Sequence, residues 1–219
     1  MDDKPISSTG WRGSREGWLQ AGYDALIETG IDGVKVMTLA RRLGLSRTSF
    51  YWFFHDREAL LNALLDMWDS HTTGPLIAAT REPAQTQAEA MLTVIGCFLS
   101  DAFDSRLEFA VRSWALRDPA IAQRVTVADA LRLKALSAML MTWGHDAMAA
   151  DVRARTIYLV QIGYISMQSS EDLATRLTRI PSYVQIYTGT LPDPHEVARF
   201  NARFQNQPDR RTVVVQMSS

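Results

Sequence analysis

The chain predicts an all-α fold, in which an N-terminal three-helix headpiece is joined by a linking helix to a larger helical domain. Three observations carry this. Apolar residues recur at i, i+3, i+4 and i+7 through most of the 219 residues, and Ser, Asp, Gly and Pro punctuate those runs where caps and stops belong. No convincing run alternates apolar and polar residues as a half-buried strand does. Hydrophobic residues make up 47% of the chain and charged residues 21%, enough for a sizeable core, which excludes disorder throughout.

Residues 1–13 are rich in Ser, Gly and charge without periodicity and are expected to form a mobile arm. Ser14 suits an N-cap and Gly30 a stop, so the intervening stretch predicts a first helix with Trp18, Leu19, Gly22, Ala25 and Leu26 facing inward. Val36, Leu39, Ala40 and Leu43 then mark one face of a short second helix ending at Gly44. Ser46 is placed to cap a third, running to about Phe54, with Phe50 and Phe54 one turn apart on its inner side. Asp56 is the expected cap of the linking helix, whose stripe is Leu60, Leu61, Leu64 and Trp68 and whose end is expected at Gly74 and Pro75. Further helices are expected over about 84–104, 106–117, 119–143, 147–169 and 172–188. The tail 205–219 is expected to be disordered, with addition of a strand to a partner as the alternative for the run "TVVVQM". These segments divide into an arm (1–13), a headpiece (14–57), a larger domain with the linking helix (58–204) and a tail.

A net charge of −1 and a pI near 6.4 give no global drive towards nucleic acid, so any such function needs a local patch. One exists. Between Gly33 and Arg57 stand five basic residues, Lys35, Arg41, Arg42, Arg47 and Arg57, against the single acid Asp56. They accompany two short helices joined by a tight turn containing Gly44, the definition of a helix-turn-helix. With Phe50 and Phe54 packed inward, Ser46, Arg47, Thr48, Ser49 and Tyr51 are left to face outward, where arginine suits guanine O6 and N7, and hydroxyls suit phosphate. Trp52 and Phe53 fall at the margin of that face. An ordinary amphipathic hairpin with a solvated basic face fits the same spacing.

Residues 14–70, above all "ALIETGIDGVKVMTLARRLGLSRTSFYWFFHDREALL", resemble the DNA-binding domain of the tetracycline-repressor (TetR) family of bacterial transcription regulators. The resemblance implies a homodimer carrying two headpieces onto palindromic half-sites of double-stranded DNA, with a C-terminal domain that dimerises and binds a small-molecule effector. Carried over by position, Thr38 would cap the second helix and touch phosphate. Ser46, Arg47, Thr48 and Ser49 would face bases or nearby backbone, Tyr51 and Arg57 would clamp phosphates, and Arg42 and Trp52 are further candidate DNA contacts. Phe53 departs from the pattern, because many members carry histidine there.

Beyond residue 75 the resemblance is architectural only. Cys97, Phe98, Trp114, Met139, Trp143, Tyr158, Gln161 and Tyr164 are candidates to line an effector pocket, and each alone reads equally as core or interface. Small residues Gly163 and Ser166 place the dimer contact on the helices at 147–169 and 172–188. No hydrolase elbow, dinucleotide loop or phosphate-cradling loop is present, and "HEVAR" fails as a zinc helix because Arg199 stands where a second histidine belongs. No catalytic residue, cofactor or metal is expected. The lone Cys97 precludes an internal disulfide, and no apolar run suits a signal peptide or a membrane span, so a cytoplasmic, non-membrane protein is expected. A DNA-binding repressor is the favoured function, with an activator of the same fold, a helical interaction module and a helical enzyme as alternatives.

Overall fold

The computed structural model describes residues 13–169 and 171–204, and these are all-helical. The expected arm and tail lie outside the described residues, apart from Gly13. Helix α1 (Arg15–Thr29) begins where the Ser14 hydroxyl accepts the Gly17 N–H at 3.0 Å and stops at Gly30, whose φ of 73° suits glycine. After a 3-10 turn at Ile31–Gly33, α2 (Val36–Leu43) ends at Gly44 in the left-handed conformation. Thr38 does not cap α2: the helix starts from Lys35 without a side-chain cap, and Thr38 sits exposed inside its first turn.

Helix α3 (Arg47–Phe50) is a single turn, shorter than expected, and residues 51–53 continue as turns. Asp56 must adopt extended backbone to cap α4 (Arg57–Trp68), which forces the chain out of the helix first. The Phe54 N–H still donates to the Phe50 carbonyl, so the two rings stack in the core at 5.5 Å as the spacing requires.

Gly74 and Pro75 do not end the linking helix. The helical chain widens through a π-turn at Asp69–Thr73 and continues as α5 (Gly74–Ala79), with Pro75 in the first turn of α5, where its missing N–H costs nothing. The remaining helices are α6 (Gln87–Leu99), α7 (Ser105–Ala115), α8 (Pro119–Thr142), α9 (Ala147–Ser166), α10 (Leu173–Thr188) and α11 (Pro194–Ala202). Each begins on an Asp or Thr side-chain cap. Helix α11 was not foreseen, although the Asp193 and Glu196 capping box that starts it is visible in the "HEVAR" neighbourhood.

Two hydrophobic cores result. The first joins α1–α4 to α7 and the first half of α8, around Trp18, Leu39, Phe50, Leu64, Trp68, Val111, Trp114 and Val125. The second joins α5, α6, the rest of α8 and α9–α11, around Met91, Leu136, Ile157, Tyr158, Val184 and Phe200. Packing therefore does not break at residue 57: the headpiece is built onto α7 and α8, with Tyr23 donating to Asp104 on the α7 cap at 2.7 Å.

Candidate nucleic-acid interface and the polar seam behind it

The outer face of the helix-turn-helix is set by what lies beneath it. Phe50 is fully buried, edge-on to Trp18 at 5.2 Å and stacked on Phe54, which fixes the rotation of the one-turn α3. Arg47 and Thr48 consequently point to solvent with Ser46, and Tyr51 and Trp52 remain 47% and 66% exposed beside them. Arg47 and Tyr51 touch: the Nε and Nη2 groups of Arg47 donate to the Tyr51 hydroxyl at 3.3 and 3.0 Å.

Three other expected contact residues are engaged inside the protein. Ser49 is buried, and its hydroxyl donates to the Ser46 carbonyl at 2.7 Å, so it does not face bases; capping the turn draws it inward. Arg42 forms a two-pronged pair with Glu28 at 2.9 and 2.6 Å, tying α2 to α1, and its bonds hold the Glu28 carboxyl below its ordinary range. Arg57 donates from Nη2 to the Ile31 carbonyl at 3.0 Å and from Nε to the Val34 carbonyl, fastening the start of α4 to the turn before α2. Because the Arg42 pair is exposed, Arg42→Ala is expected to cost no more than about 1 kcal/mol in urea denaturation. A loss several times larger would mean that the pair is a principal brace of the headpiece.

A model of bacterial regulatory proteins of the tetR family matches residues 19–64, which span α1 to most of α4. The headpiece is similar to that of the TetR family. The class A tetracycline repressor from transposon 1721 of Escherichia coli is 39% identical over 56 residues, 25% of this chain and 26% of that protein, so the chain spans about a quarter of the length of that relative. The fold match is wider. The Salmonella enterica GusR structure superposes with a TM-score of 0.60 at 20% identity, covering 81% of this chain and 94% of that one. The fatty acid degradation regulator FadR of Bacillus halodurans gives 0.55 at 17%, covering 82% and 100%. At such identities these show a shared fold.

Behind the headpiece, a polar seam crosses the boundary between the two cores. Glu108 and Arg132 are fully buried and paired, with Arg132 Nη1 donating to one Glu108 oxygen at 2.8 Å and Nη2 to the other at 3.1 Å. Trp68 Nε1 donates to Glu108 at 2.6 Å, and Arg132 also donates to the hydroxyls of Thr72 and Thr73. The end of the linking helix and its π-turn are thereby held from α7 and α8. Arg112 pairs with Glu108 at 2.7 Å and with Asp129, and the Tyr158 hydroxyl donates to Asp129 at 2.6 Å. Burial opposes the charge of Glu108, but Arg132, Arg112 and the Trp68 bond prevail and hold its carboxyl below the usual range. Burial pushes the Tyr158 hydroxyl up, so it acts as a donor.

None of these charges is expected from the sequence, where Tyr158 stands only as a candidate to line a pocket. A signal existed: Arg132 falls on the stripe Ile121, Val125, Ala128, Leu136 and Met139, and Glu108 lies between Leu107 and Val111, so both charges occupy core positions.

The residues expected to line an effector pocket divide between the two cores. Trp114 joins the headpiece core, because its face of α7 packs towards α1 and α4. Cys97, Phe98, Met139 and Tyr158 join the second core with Trp143 packed against it, and Gln161 is buried on α9. Tyr164 meets Tyr183 hydroxyl to hydroxyl at 3.0 Å, with Arg176 over its ring. Burial pushes the Cys97 thiol up to about 11, as suits a cysteine packed in the core. An open groove of about 650 Å³ instead lies along α8 and α9, lined by Asp129, Leu133, Lys134, Met141, Asp151 and Arg155 among others, and includes none of the expected lining residues. Among the described residues no cluster of three or more His, Cys, Asp or Glu is placed to hold a metal, and no helix is long and apolar enough to cross a membrane.

Proposed function

We propose that this chain is a cytoplasmic transcription regulator that binds a palindromic DNA operator as a homodimer and is released by a small-molecule effector. The observation that carries the reading is the outward presentation of Arg47, Thr48, Tyr51 and Trp52 on a one-turn helix locked by Phe50, within a segment matching the TetR family. A major groove admits such a helix, and an arginine there suits guanine.

Dimerisation is supported by exposed apolar residues on α9, Met148, Val152 and Leu159 at helical spacing, and by Ile186 on α10. Gly163 of α9 has open space where a Cβ would stand, room for a second helix to approach closely. Regulation is supported by the seam: a ligand that displaces α8 must disturb Arg132 and with it the π-turn ending α4, which shifts the population of DNA-competent dimers.

Arg47→Ala is expected to weaken binding to the operator by about 1–3 kcal/mol and to relax preference at one position of each half-site. Fluorescence titration of the operator and of scrambled duplexes checks it. Equal losses on both would remove base readout from Arg47.

A further inference from the structure

Resting on the regulator reading, we propose that Tyr51 is a specificity-determining positioning residue, which orients the Arg47 guanidinium for guanine rather than serving only as a phosphate contact. A guanidinium offers two edges that each present a parallel pair of N–H groups. Tyr51 takes one of them, since the donors to its hydroxyl are Nε and Nη2. The other edge, Nη1 with the outer hydrogen of Nη2, is left as the fork that fits guanine O6 and N7.

The post on which Arg47 rests is itself anchored. The Tyr51 ring stands edge-on to Phe50 at 5.3 Å, and Phe50 is wedged between Trp18 and Phe54. The guanidinium also lies 5.8 Å from the Tyr51 ring centroid, within reach of its π face. A chain of rings thus runs from the centre of the headpiece to the tip of a reading side chain. An arginine held in its bound orientation beforehand loses less conformational freedom on docking, and freeing it costs about two- to tenfold in affinity.

The test uses the full chain, an operator selected by the wild-type protein, and duplexes with each base pair of the half-site replaced in turn. Tyr51→Phe keeps the ring and its core contact and removes only the hydroxyl. It is expected to lose about two- to tenfold in discrimination at the base pair that Arg47→Ala relaxes, with other positions unchanged. In an Arg47→Ala background it is expected to cost nothing further at that position. Discrimination that survives Tyr51→Phe, or a loss that is uniform over operator and scrambled duplexes, overturns the inference and leaves the regulator reading intact. A wild-type protein that selects no sequence overturns both.

Discussion

Replacing Arg132 with methionine is expected to destabilise the protein by about 3–5 kcal/mol, the usual cost of removing one partner from a buried ion pair. The side chain is fully buried and donates to Glu108, Thr72, Thr73 and Tyr158. Methionine fills the volume but leaves Glu108 with Arg112 as its remaining arginine and strips the π-turn hydroxyls of their acceptor-seeking donor. Urea denaturation followed by helical circular dichroism measures it, and a loss below about 1 kcal/mol would show the seam to be dispensable. The sign of the pH dependence follows from Glu108. Its folded carboxyl is held below the ordinary 4.5, so the charge contributes stability fully present above that value and lost as pH falls through the lower folded value. The wild-type protein is therefore expected to lose more stability than Arg132→Met on acidification below 4.5. Identical acid profiles would contradict that.

Phe50→Ala is expected to cost about 3–5 kcal/mol, the range for deleting a buried aromatic ring, and to abolish operator binding as well. Phe50 is fully buried between Trp18 and Phe54. A helix of one turn has no stability of its own, because nucleation is unfavourable and too few bonds follow to repay it. The orientation of α3 therefore depends on this ring. Phe50→Leu, which retains apolar volume, is expected to fall between the two. Thermal unfolding gives the stability and duplex titration the binding; full binding by Phe50→Ala would show that α3 is held by something else.

These two sites differ in how visible they are in the sequence. Phe50 is legible because its spacing from Phe54 and its position after the Ser46 cap are local, and the same caps and stripes place α1, α2, α4 and α6–α10 to within a few residues. The Gly74–Pro75 stop fails because local rules favour a break, whereas the π-turn there is held by Arg132, nearly sixty residues away in the chain. Arg42 and Arg57 look free in a basic run, yet find Glu28 and the Ile31 carbonyl across the fold. Ser49 has the right residue type for a contact, but the geometry of its own cap turns it inward. Helix α11 lies beyond the last expected helix, although Asp193 and Glu196 form a capping box legible in the sequence.

The most direct test of the central claim is selection of bound sequences from random duplex DNA by the purified protein. The expected outcome is a palindrome whose half-sites lie about one helical turn, roughly 34–36 Å, apart, with a base preference that Arg47→Ala relaxes. Recovery of no sequence, even at low salt where phosphate contacts are strongest, would contradict it and leave a helix-turn-helix headpiece that does not read DNA.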